Sequence, residues 1–217
     1  MRGSGSANAV SQDSWAPFHQ YLAKAEGILT RHRKIAASDP AFYAALLDVY
    51  NDSGKDETDY RALLDEAVAL HPGYPGIYFG AARHYLPQWG GSYEAVDAIA
   101  RLAERELPRA DNAGGYVRVY WYLIECGCYD KEHMPLDPRL LMRSMSETLA
   151  RFPNNWNVAN FALIACRTDN PFAAQRYFKS LPAGYDAQRH DPRWWQFCRE
   201  IAGVAPTQGN ANADSAK

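Results

Sequence analysis

Cys126, Cys128 and His133 crowd one short stretch of this 217-residue chain, three side chains of the kinds that hold zinc. A structural zinc site needs four ligands and usually two residues between paired cysteines. Here only Gly127 separates the two cysteines, and Asp130 or Glu132 would complete a ligand set awkwardly. The stretch is therefore read as a binding loop inserted between helices, with no metal and no cofactor expected. Paired carboxylates are the next candidate chemistry, because two that converge can divide acid and base roles. Glu94/Asp97 and Glu104/Glu106 have the spacing of ordinary solvated helix faces. His84 follows Arg83 on an aromatic segment and reads as a structural histidine. The chain carries neither a Gly-x-Ser-x-Gly elbow nor a phosphate-cradling Gly-x-x-x-x-Gly-Lys. No enzyme is expected from these residues.

Aromatic content is the more unusual quantity, with six Trp, 14 Tyr and eight Phe. Most should act as knobs between packed helices. The run Tyr116-Val117-Arg118-Val119-Tyr120-Trp121-Tyr122, however, places bulky groups on every side of one helix. They cannot all face one core. Some must reach an open surface, where tyrosine, tryptophan and arginine most often dominate binding energy. Arg118 and Trp121 are the candidates in this run.

The elements that must position these side chains are helices. Trp15, Phe18, Tyr21, Leu22, Ala25 and Leu29 recur at 3–4 spacing. The Arg31-His32-Arg33-Lys34 cluster that follows suits a last helical turn, where cations oppose the negative end of the helix dipole. Asp39-Pro40, Asp137-Pro138 and Asp191-Pro192 each supply an N-cap carboxylate and a proline at the first helical position. Ser92 plays the capping role for a helix running to Leu107. No period-2 run of β-branched residues occurs, so the fold class is all-α, with about nine helices. Four amphipathic segments close in Pro72, Pro108, Pro153 and Pro182, which lie 36, 45 and 29 residues apart. That spacing scatters around the ~34-residue period of helix–turn–helix repeats, whose units must stack to bury their apolar faces.

Composition limits the rest. The 47% apolar content supports a continuous core, and a net charge of −2 with both signs interspersed provides no field for nucleic acid. No apolar run approaches the ~18 residues of a membrane span. Met1-Arg2-Gly3-Ser4-Gly5-Ser6 reads as a vector leader that could have replaced a native signal peptide. Four scattered cysteines do not suggest a disulfide-built scaffold. Cys166 and Cys198 read as free, small hydrophobes in apolar helical patterns, which mildly favours a cytoplasmic compartment. The expected organisation is a flexible leader over 1–13, one helical-repeat domain over 14–203 and a disordered tail over 204–217.

The order Tyr78, Ala81, Tyr85, Gly91, Tyr93, Val96, Ala103, Pro108 resembles a tetratricopeptide repeat, with about two extra residues near Pro87–Trp89. Weaker copies run through Leu123, Gly127, Thr148 and Pro153, and through Phe161, Ala162, Ala174, Phe178 and Pro182, so the resemblance covers about 40–182. It implies a right-handed superhelix of antiparallel helix pairs whose concave face holds a protein or peptide. Phe79, Arg83, Trp121 and Asn160 fall at groove-facing positions of that pattern. The stretch Leu86-Pro87-Gln88-Trp89-Gly90-Gly91-Ser92, with Val119-Tyr120-Trp121, is also similar to a bacterial domain family of unknown function with a Leu-Pro-x-Trp-Gly-Gly-Ser signature. Trp89 would there lie over the turn and border the groove. The function expected is that of a monomeric interaction scaffold for a protein or peptide segment. The alternative is an all-helical hydrolase of glycan or peptidoglycan fragments, for which Glu94 and Glu125 are the least unsuitable carboxylates.

Overall fold

The computed structural model describes residues 11–110 and 112–204. Among them there is no strand, and α- and 3-10-helical turns together account for 75%. Two compact units divide the chain, Met1–Leu136 and Asp137–Lys217. The expected leader lies largely outside the described residues, as does nearly all of the expected tail. Helix α1 already begins at Gln12.

The first unit holds α1 (Gln12–Ala36), α2 (Pro40–Ser53), α3 (Glu57–Leu70), α4 (Pro75–His84), α5 (Tyr93–Glu106) and α6 (Gly115–Glu125). Local chemistry starts and stops them. The Asp39 carboxylate accepts the Ala41 N–H at 2.9 Å, and Gly54 ends α2 in the left-handed region at φ 66°. The Ser92 hydroxyl accepts the Ala95 N–H at 3.1 Å to open α5. Helices α2, α4 and α6 pack in a row; α3 lies against α2 and α4, and α5 against α4 and α6. Helix α1 covers α2; its Glu26 pairs with Lys55, just beyond α2, at 2.7 Å, and its Arg33 pairs with Glu66 of α3.

This core is built on tyrosine. Tyr43, Tyr60, Tyr78, Tyr116 and Tyr120 are all fully buried, and four of their five hydroxyls find the partner that burial demands; that of Tyr60 has none. Tyr43 donates to Glu66 at 2.6 Å, and Tyr78 donates to the Pro72 carbonyl at 2.7 Å. Tyr116 and Tyr120 both donate to Asp97 Oδ1, at 2.6 and 2.9 Å, while Arg101 Nε donates to its Oδ2 at 2.7 Å. Asp97 is thus buried, not on a solvated face as its spacing suggested. Glu104 also departs from that expectation: its carboxylate accepts the Tyr116 N–H at 2.8 Å and caps the start of α6. Helix α6 approaches α5 so closely that a Cβ at Gly115 would lie 2.2 Å from the Ala103 carbonyl carbon.

The second unit contains α7 (Pro138–Arg151), α8 (Asn155–Arg167), α9 (Pro171–Ser180) and α10 (Pro192–Ile201), so the described residues form ten α-helices. Asp137 and Asp191 cap α7 and α10 through their side chains, as their Asp-Pro pairs predict. Helix α8 packs on α9 and α10, and α10 also touches α9. Two expectations fail here. Cys166 of α8 and Cys198 of α10 are joined as a disulfide, with Cα atoms 5.6 Å apart, so neither is a free hydrophobe. A last helix that caps the repeats is expected to lay Trp194, Phe197 or Ile201 inward, yet in α10 those three are exposed and Trp195, Cys198 and Ala202 are buried. The sulfur link at Cys198 selects the face that turns inward.

Candidate partner-binding face

Helix α4 carries Gly76, Phe79, Gly80 and Arg83 at 3–4 spacing, and this stripe lies between α2 and α6. Phe79 is half-buried and stacks on Tyr122 of α6, with ring centroids 5.0 Å apart and planes 6° from parallel. One turn along, Arg83 Nη2 donates to Asp48 Oδ1 of α2 at 2.9 Å and to Asp52 Oδ1 at 3.5 Å. Gly80 keeps the surface low between these groups, whereas Gly76 is covered by the Tyr74 ring, 2.6 Å from where a Cβ would lie. At Gly80 a Cβ would meet only Asp48 Oδ1, at an ordinary contact distance of 3.6 Å. An interior glycine costs a helix about 0.5–1 kcal/mol relative to alanine, so Gly80 spends stability without being required by packing.

Electrostatically the face is an aspartate pair holding one guanidinium. Burial pushes the Asp48 carboxyl above its usual range, Arg83 opposes that shift, and Asp52 adds to it. By formal charge the trio is net negative. Burial likewise pushes the Tyr122 phenol up, with Arg83 opposing and Asp48 reinforcing, so Tyr122 shares the same neighbourhood. At the C-terminal end of α4, His84 lies flat on the Tyr60 ring at 3.5 Å. Its Nδ1 meets Asn51 Oδ1 at 2.9 Å and its Nε2 meets Glu57 Oε2 at 3.2 Å. Tyr85 donates to the other Glu57 oxygen at 2.7 Å. His84 is held between helices in the manner of a structural residue.

The six sequence-chosen residues divide accordingly. Phe79 and Arg83 share the α4 stripe, and Arg83 is engaged by two aspartates. Trp121 is half-buried on α6, in the same 3–4 stripe as Arg118, Tyr122 and Glu125, while Tyr116, Val117, Val119 and Tyr120 fill the buried side. Arg118 donates to the Ala113 carbonyl at 2.8 Å, and burial lowers its guanidinium pKa. Trp89 belongs to the 3-10 turn Pro87–Trp89 that leads into α5 and is 46% exposed. Its turn is rigid, since Gly90 takes φ 92° and a Cβ at Gly91 would lie 2.1 Å from the Tyr85 carbonyl oxygen. Asn160 is a correction. It lies in the second unit, is 4% exposed and donates to the Trp156 carbonyl at 2.8 Å, so it is core and not groove.

Tyr122, Asp48 and Asp52 were not picked out by sequence reasoning. The 118/121/122/125 stripe was available as a signal for Tyr122. Nothing in the local sequence marks the two aspartates, whose role comes from an arginine 35 and 31 residues away.

The binding-loop segment is closed on itself chemically. Cys126 and Cys128 are joined as a disulfide, and His133 Nδ1 meets Asp130 Oδ2 at 2.9 Å. Tyr93 also donates to that Asp130 oxygen at 2.9 Å and so ties the loop to α5. Glu94 lies exposed in the first turn of α5. A backbone hydrogen bond and the Ser92 hydroxyl hold its carboxyl below the usual range. A general acid needs the opposite shift. No helix among the described residues is long and apolar enough to cross a membrane. No family model matches this chain, and neither does any curated protein or solved structure.

Proposed function

We propose that this chain is a tetratricopeptide-like scaffold that holds a peptide or protein segment across α2, α4 and α6. The supporting observation is the half-exposed Phe79–Tyr122 stack beside the Arg83–Asp48 pair, on a surface kept low by Gly80. Aromatic rings held flat by a neighbour present apolar area at little cost in side-chain entropy, which is how hot-spot residues act. The alternating contacts of α2 through α6 support stacking of antiparallel pairs, and a right-handed superhelix is the arrangement we propose for them. The net negative aspartate–arginine trio favours a segment that brings a cationic or N–H donor group. The Cys166–Cys198 disulfide supports maturation in an oxidising compartment rather than the cytoplasm.

The test is peptide selection on the intact protein, followed by titration calorimetry with the selected sequence. Phe79→Ala, Tyr122→Ala and Trp121→Ala should each weaken binding by about 1–3 kcal/mol. Equal affinity in all three variants would remove this face from the function.

A further inference from the structure

The outer side of α10 is apolar, where the last helix of a repeat stack needs a polar face to stay solvated. Trp194, Phe197 and Ile201 recur at 3–4 spacing and form one stripe, each between 41% and 48% exposed. The stripe is held in shape by its own contacts. The Trp194 and Phe197 rings meet edge to face with centroids 5.6 Å apart, and the Arg167 guanidinium of α8 lies 4.4 Å from the Trp194 centroid. Rings ordered in this way lose little side-chain entropy on burial, as binding hot spots do. The residues that follow in the sequence, 205–217, include no aromatic and no branched aliphatic side chain, so nothing in them matches the stripe.

Charge selects the occupant. Arg193 and Glu200 are both exposed and seven residues apart, which puts them on one flank of the stripe, about 10 Å apart along the helix. Their local contacts are surface ones: Arg193 Nη2 lies 3.6 Å from Asp191 Oδ2, and Glu200 Oε1 accepts from Gln196 at 3.0 Å. An acidic partner would gain from Arg193 and be repelled by Glu200, and a basic partner the reverse. A second copy uses both. Two antiparallel helices related by a two-fold axis lay like flank beside like flank, so Arg193 of one comes within a residue of the level of Glu200 in the other, twice over. Phe197 then meets its own counterpart near the axis, and Trp194 meets Ile201. We infer that α10 is a self-association surface whose partner is a second copy of this chain, docked antiparallel as an isologous dimer, in place of the monomer expected from the sequence. This surface is separate from the α2–α4–α6 face and stands whether or not that face binds a partner.

One helix face is a small interface, so the dimer should be weak, with a Kd on the order of 10–100 µM. Sedimentation equilibrium of the full chain, taken to about tenfold above that range, should show monomer–dimer exchange. Phe197→Ser should weaken association by about tenfold or more and leave the melting temperature nearly unchanged, because the side chain is exposed. Arg193→Glu and Glu200→Arg should each weaken association, since each sets like charges opposite one another at both ends of the interface. Mixing these two variants should restore a heterodimer of parent-like affinity, and the double exchange in one chain should restore the homodimer. Neither rescue follows from a purely structural role for the two residues. The proposal is overturned if the parent protein stays monomeric throughout, whatever else then binds the stripe. It is equally overturned if association survives Phe197→Ser, or if the mixture associates no better than either variant alone.

Discussion

Replacing Cys166 and Cys198 together by alanine removes a cross-link between helices that lie 32 residues apart in sequence. In the chain-entropy treatment, a closed loop of this length restricts the unfolded chain by about 3–4 kcal/mol. The Cα separation of 5.6 Å is within the ordinary range for such bonds, so the native helices need no displacement to form it. Both residues are buried, and alanine leaves a modest void that adds to the loss. For a unit of this size, about 4–8 °C is lost per kcal/mol, so its melting should fall by roughly 12–32 °C. Hydrogen exchange read by mass spectrometry localises the effect. Amides of α8 and α10 should lose protection in the variant and in reduced wild type, whereas α2 through α6 should change little. The Cys126–Cys128 pair spans two residues and closes too short a loop to matter comparably. Equal protection of α8 and α10 in oxidised, reduced and variant protein would refute the reasoning, as would free thiols at both positions in protein purified without reductant.

Other perturbations separate packing from surface. Gly115→Ala should cost more than about 2 kcal/mol, or abolish folding, because the added carbon meets the Ala103 backbone; Gly80→Ala should stabilise by about 0.5–1 kcal/mol in chemical denaturation while weakening partner binding. Asp97→Ala leaves the Tyr116 and Tyr120 hydroxyls buried without their acceptor, and urea unfolding should show a loss of about 2–4 kcal/mol. Glu66 has its carboxyl lowered by the Tyr43 hydrogen bond and then by Arg33. A lowered folded-state value means that its contribution is full above the ordinary carboxylate range, near 4.5, and is lost as pH falls through the folded value. Glu66→Gln should therefore flatten the acid limb of the stability curve, with a neutral-pH cost under about 1 kcal/mol because the pair is partly exposed.

The helices were legible in the sequence because their signals are local. Asp39, Ser92, Asp137 and Asp191 announce helix starts within three residues of the N–H groups they accept. The apolar stripes of α2 and α3 likewise predict the buried Leu46, Leu47, Leu63 and Leu64. What escaped is non-local. Asp97 looks like any surface carboxylate until α6 brings two tyrosine hydroxyls to it. Helix α10 has apolar or aromatic groups at 194, 195, 197, 198 and 201, so periodicity alone cannot choose its inner face. The partner of Cys198 decides it. At the candidate face, Phe79 and Arg83 were readable from repeat register, whereas Asp48, Asp52 and Tyr122 required the packing of α2 and α6 on α4. Asn160 failed because register gives a position along a repeat and not its burial.

The central claim is that the open side of α4, between α2 and α6, is where a partner segment lies. The most direct test places the photo-reactive residue p-benzoylphenylalanine at the exposed position 125 on α6, in the stripe of Trp121 and Tyr122, or at the exposed position 62 on α3, and irradiates each protein with the selected peptide. Cross-linking from position 125, lost when excess unlabelled peptide competes, is the predicted result. Cross-linking from position 62 and none from position 125 would contradict it.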